Sequence, residues 1–179
     1  LPTGSAAPSP TPAPTPRSMS CPLEAVQFRA VWQQAGGRLG CPNAPAEQRP
    51  LAQQPFEQGS MIWDSGPRRI HVLLAAGTWQ SFDDTWLEGQ DLAYDPALPP
   101  PPRQPQRGFG KVWREQLGGP QAAIGWALES ERGVDGWVQR FERGLLVWTD
   151  AQPVGSQAAG TAHLLYDDGT WQALPAARP

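Results

Sequence analysis

Apolar residues fall at Phe28, Val31, Trp32 and Ala35, the i, i+3, i+4, i+7 spacing of one helix face, and Gly36 follows as a stop. The spacing returns at Phe109, Val112 and Trp113, with Gln116 in the fourth place and Gly118 as the stop. Beyond each predicted helix the pattern becomes that of β-structure. Two β-prone runs meet at Gln58-Gly59 and two more at Arg143-Gly144. A further pair of turns falls at Ala76-Gly77 and Asp168-Gly169, and Asp-Gly is a strong two-residue hairpin signal. Residues 70–74 and 162–166 are apolar at almost every position, which predicts strands covered on both faces.

The pattern is one pattern written twice. Phe28, Val31 and Trp32 align with Phe109, Val112 and Trp113; Leu39-Gly40-Cys41-Pro42 aligns with Ile124-Gly125-Trp126-Ala127. Phe56-Glu57, Gly59 and Trp63 align with Phe141-Glu142, Gly144 and Trp148. His71 and Gly77-Thr78-Trp79-Gln80 align with His163 and Gly169-Thr170-Trp171-Gln172. The expected fold is therefore mainly β, as two tandem units of about 80 residues, each a short helix followed by two antiparallel hairpins. The boundaries read 1–20 for a proline-rich arm, 21–90 for unit one, 91–106 for a proline-rich linker, 107–174 for unit two and 175–179 for a tail.

Ile124-Gly125, the run Gly136-Trp137-Val138-Gln139-Arg140-Phe141-Glu142-Arg143-Gly144, and Val147-Trp148 carry a family resemblance. Unit one shows Leu39-Gly40-Cys41-Pro42 and Phe56-Glu57-Gln58-Gly59-Ser60-Met61-Ile62-Trp63 at the matching places. The pattern resembles the LGFP repeat of secreted and surface-attached bacterial proteins. That resemblance implies a cell-envelope setting and brings no catalytic residues. The repeat period here is longer than that family's, and the Gly-Thr-Trp-Gln hairpin lies outside its motif.

Composition and the chain's ends change this picture in several ways. The 179 residues include 22 prolines and 19 glycines; the prolines cluster, and nine tryptophans mark folded units between proline-rich segments. A formal net charge of −3 supplies no basic stripe, which argues against a nucleic-acid partner. No run of about 18 apolar residues is present to span a bilayer. No charged and then apolar leader opens the chain, and Leu1 stands first, as in a processed or trimmed protein. The two cysteines, Cys21 and Cys41, flank the first predicted helix and read as a disulfide formed in an oxidising, extracellular compartment. The alternative is a pair of free thiols in a reducing cytosol.

Candidate chemistry is sparse. His71 and His163 occupy equivalent strand positions without a nucleophile motif or metal-ligand spacing, so each reads as a strand histidine with a hydrogen-bond partner. Asp83-Asp84, with Glu88 nearby, and Asp167-Asp168 are the acidic clusters. The second aligns with Ala75-Ala76 and reads as turn chemistry, the first as a loop start or cap, with calcium as the functional alternative. Glu57 and Glu142 read as solvated turn residues. Six tryptophans pair between the units and read as core; Trp126 stands in the place of Cys41, its ring expected to fill the disulfide's volume. Trp86 and Trp137 remain as an interface or glycan platform.

These observations lead to a non-enzymatic chain with no cofactor and no metal. In the arm, Pro8, Pro10, Pro12, Pro14 and Pro16 favour an extended polyproline conformation. Unit one continues past Trp79-Gln80 to Phe82, Trp86 and Leu87, whereas unit two ends soon after Trp171-Gln172. A spare arm at one end and a short unit at the other predict a secreted structural subunit, assembling head to tail into a homopolymeric filament or sheath through the arm. The alternative is an envelope carbohydrate-binding module on a proline-rich stalk.

Overall fold

The computed structural model describes Cys21, residues 27–151 and residues 159–178. The arm, with Pro8, Pro10, Pro12, Pro14 and Pro16, lies outside the described residues. The elements run α1 (Arg29–Gln34), β1 (Glu47–Phe56), β2 (Gly59–Asp64), β3 (Arg69–Leu74), β4 (Trp79–Asp83), α2 (Arg107–Glu115), β5 (Arg132–Phe141), β6 (Gly144–Thr149), β7 (Gly160–Tyr166) and β8 (Trp171–Ala176). Both helices are short and amphipathic. Phe109, Val112 and Trp113 of α2 are buried, and α1 ends where Gly36 turns to φ +62°.

The chain is mainly β, but not as two tandem units. All eight strands belong to one antiparallel half-barrel sheet in the order β4-β3-β2-β1-β5-β6-β7-β8. The first strand of each repeat pairs with that of the other, from Glu47 opposite Val138 to Gln53 opposite Arg132. Backbone chemistry accounts for the difference from the sequence expectation. Alone, a four-stranded unit would leave an edge of β1 or β5 unpaired, and the two edges satisfy each other.

Burial acts in the same direction. Leu51, Ile62 and Leu73 from one half form a single cluster with Val134, Val138, Val147 and Leu165 from the other, on the inner face of the sheet. Either half by itself would expose its share of that face to water.

The helices are exchanged as well. Phe28 and Val31 at α1 pack with Phe141, Leu146, Trp148 and Leu164 of the second repeat's strands. Phe109, Val112 and Trp113 of α2 pack with Phe56, Met61, Ile70 and Val72 of the first repeat's strands. Each helix covers the outer face of the sister half. This explains why strands β3 and β7 carry apolar residues on both faces: the outer face meets a helix and the inner face meets the shared core.

A second seam joins the ends of the sheet. Thr78 bridges Thr170, Trp79 N–H donates to Gly169 O and Trp171 N–H to Gly77 O, both at 2.9 Å. The indoles repeat the exchange, Trp79 Nε1 donating to Tyr166 O and Trp171 Nε1 to Leu74 O, both at 2.8 Å. The doubled Gly-Thr-Trp-Gln segment is thus a closure device.

Candidate functional site

The site begins with a small residue. Ala52 on β1 lies opposite Trp63 on β2 and leaves room beside the indole. Phe109 from the first turn of α2 closes one side, and Trp86, in the loop after β4, closes another. Asp84, Arg107, Gly108 and Glu131 complete a cleft of about 210 Å³.

Several restraints hold the loop that carries Trp86. Asp84, whose side chain is only 9% exposed, pairs with Arg68 Nη2 at 3.3 Å. It also accepts hydrogen bonds from Trp63 Nε1 at 3.0 Å and from Trp86 N–H at 3.2 Å. The last of these spans two residues, the Asx turn expected of an aspartate at a loop start. A Cβ on Gly108 would stand 2.6 Å from Asp84 Oδ1, so α2 reaches the carboxylate only because glycine is there. Lys111 of α2 ties down the far part of the loop, donating to Thr85 O at 3.3 Å and to Asp91 Oδ1 at 2.8 Å. That ammonium group holds the Asp91 carboxyl below its usual pKa.

On the opposite lip Arg107 Nη1 lies 3.1 Å from Glu131 Oε1. Arg107 adopts φ +50°, uncommon for a side-chain-bearing residue, while its N–H donates to Ala93 O at 2.8 Å. The cleft therefore has an aromatic floor and walls, with two carboxylates and one guanidinium on its border. Such a surface is complementary in shape and polarity to a ring with an apolar face and hydroxyl groups at its edge.

The platform residues expected from sequence are not brought together. Trp86 lines the cleft, half-buried, and its Nε1 has no partner among the described residues. Trp137 sits on β5 in the other half, packed against the cluster around Phe28 and Trp148. Glu57 and Glu142 have a role that turn chemistry did not suggest. Glu57 Oε2 accepts the N–H of Trp126 at 3.1 Å, and Glu142 Oε2 that of Cys41 at 3.1 Å. Alignment of the two copies could have raised this, because each glutamate recurs with its glycine-containing receiving segment.

Cys21 and Cys41 form the expected disulfide, with Cα atoms 5.4 Å apart. In the sister half Trp126 packs on Trp113 with ring centroids 5.0 Å apart. Both histidines are buried, His71 on β3 and His163 on β7. His71 has no hydrogen-bond partner on either ring nitrogen among the described residues, contrary to the sequence expectation. His163 Nε2 lies 3.5 Å from Thr149 Oγ1. Burial pushes both down to about 4, and the nearby charges of Arg69 and Arg49 add to the effect at His71. Asp168 pairs with Arg38 at 2.6 Å and bonds Thr170 Oγ1 at 2.6 Å, which together hold its pKa at about 2, the Thr170 hydroxyl contributing most. Among the described residues no group of three or more His, Cys, Asp or Glu is placed to hold a metal ion.

Comparison with family models, with curated proteins and with solved structures finds no match.

Proposed function

We propose that this protein is a non-enzymatic binding module of the cell envelope that takes a carbohydrate ring in the Ala52–Trp63–Trp86 cleft. The observation that carries the reading is the cleft itself: apolar ring faces at its centre, hydrogen-bonding carboxylates and a guanidinium at its border. The axial C–H groups of a pyranose carry partial positive charge and pack on the negative face of an indole. The disulfide favours an oxidising, extracellular setting, and no described helix is long and apolar enough to cross a membrane. A glycan panel titrated against the full chain, with Trp86→Ala as control, tests the reading. Binding to at least one glycan, weakened tenfold or more by Trp86→Ala, is the expected result. Absence of binding across the panel would sink it.

One observation favours a second reading, the head-to-tail filament assembled through the proline-rich arm. Beyond the seam at Thr78 and Thr170, strands β4 and β8 are the outer strands of the sheet, each laddered to a single neighbour. Such edges are templates for an added strand from another copy. Negative-stain microscopy of the full chain beside one lacking residues 1–20 decides this reading: filaments from the first alone support it, dispersed particles from both remove it.

A further inference from the structure

The two halves share one backbone plan, so their differences mark what one half does and the other does not. The strand pair Ala52–Trp63 is matched by Trp137–Trp148, with the same register and the same outward face. Where the first half has alanine beside its tryptophan, the second has another indole, packed into the cluster under α1. The border differs at the same time. Asp84, the residue after β4, corresponds to Ala176 at the end of β8, and the equivalent indole, Trp148 Nε1, donates to Ala176 O instead of to a carboxylate. Glu131, just before β5, corresponds to Ala46 just before β1, and both alanines are buried in the core.

We propose that Trp137 is a built-in plug occupying in one half the space a ligand ring occupies in the other. Ala52, Asp84 and Glu131 then make the first half the binding half, for a single neutral pyranoside ring per chain. This rests on the carbohydrate reading of the cleft. Three positions around the paired tryptophans differ together between the halves, with apolar filling in one and an opening or a charge in the other. The size agrees: about 210 Å³ is below the roughly 300–1,000 Å³ of sites for drug-sized ligands, and fits one ring.

Charge chooses among sugars. Glu131 already engages Arg107, and Asp84 engages Arg68. Glu131, the more exposed of the two, accepts hydroxyl hydrogens from a neutral ring, whereas a uronic acid would bring a further negative charge to a border where, among the described residues, each guanidinium already faces a carboxylate.

The test titrates the full chain, by tryptophan fluorescence, with chitotriose, cellotriose and mannotriose, and with trigalacturonate as the acidic counterpart. Expected are 1:1 binding of a neutral trisaccharide, at least tenfold weaker binding of trigalacturonate, and at least tenfold loss in Ala52→Trp, which copies the plug. Glu131→Ala, on the border and away from the core, guards against a misfolded plug variant. It should weaken the neutral sugar and narrow the preference over trigalacturonate, because Arg107 loses its partner. Wild-type affinity in a folded Ala52→Trp variant, or an unchanged preference in Glu131→Ala, would overturn the plug inference while leaving carbohydrate binding standing. No binding of any of the four sugars to the wild-type chain would overturn the ligand class assigned to this cleft. Binding of glycans from a wider panel, insensitive to Trp86→Ala, would place the site elsewhere.

Discussion

Glu57 accepts the backbone N–H of Trp126, and the carboxylate lies where a side chain on Gly125 would have to go: a Cβ there would stand 2.6 Å from Glu57 Oε2. Glu142 and Gly40 repeat this geometry across the other half, again with 2.6 Å to the carboxylate oxygen, and both glycines have φ +78°. The turn of each repeat is thereby capped by the segment preceding the sister strands. Gly40→Ala and Gly125→Ala each combine a left-handed backbone with a collision. Each should lower stability by about 1–3 kcal/mol in urea denaturation, more than Glu57→Ala or Glu142→Ala, which remove only an exposed hydrogen bond. Equal losses in the glycine and glutamate variants would show that the carboxylate contact, not the backbone, dominates.

Exchange of the helices makes the halves mutually dependent. Residues 21–90 expressed alone carry α1 but lack the strands it covers, and carry β1–β4 without α2. This fragment should lack the dispersed amide spectrum of a folded protein, and mixing it with residues 91–179 should restore one. A folded, monomeric 21–90 fragment would contradict the shared inner core.

The buried histidines predict acid sensitivity. Their folded pKa, about 4, is below the ordinary 6.5, so the unfolded chain binds more protons between these values. Their contribution to stability is therefore complete above pH 6.5 and is lost as pH falls from there toward 4, at no more than about 1.4 kcal/mol per pH unit for each ring. Thermal melts at pH 7.5 and pH 5 should show a lower Tm at pH 5. Replacing both His71 and His163 by leucine should flatten that difference; an unchanged pH dependence would assign it to other groups.

Reduction should loosen α1 in particular. The Cys21–Cys41 bridge closes a loop around that helix, and by loop-closure arithmetic its loss costs about 3 kcal/mol. Hydrogen exchange with and without reductant should show faster exchange at Val31 and Trp32 than in α2, where Trp113 and Trp126 pack against each other without a disulfide. Uniform acceleration across both helices would mean that the bridge stabilises the sheet as a whole.

Local structure was legible in the chain because it depends on neighbours. The spacing of Phe109, Val112 and Trp113 marks a helix face, Gly36 and Gly118 stop their helices in positive φ, and Asp168-Gly169 marks a tight turn. The doubly apolar strands announced cover on both faces, and the cysteine pair announced a bridge. What lay beyond the sequence was which copy covers which. Phe28 and Phe109 are interchangeable as patterns, and nothing in hydrophobic periodicity says that each will settle on the other repeat's strands. Pairing of β1 with β5 depends on two edges and one inner face that become complementary only once both halves exist. The contrast between Ala52 and Trp137 was present in the letters all along. Only the register of Trp63 and Trp148 beside them decided that one position opens a cleft and the other closes it.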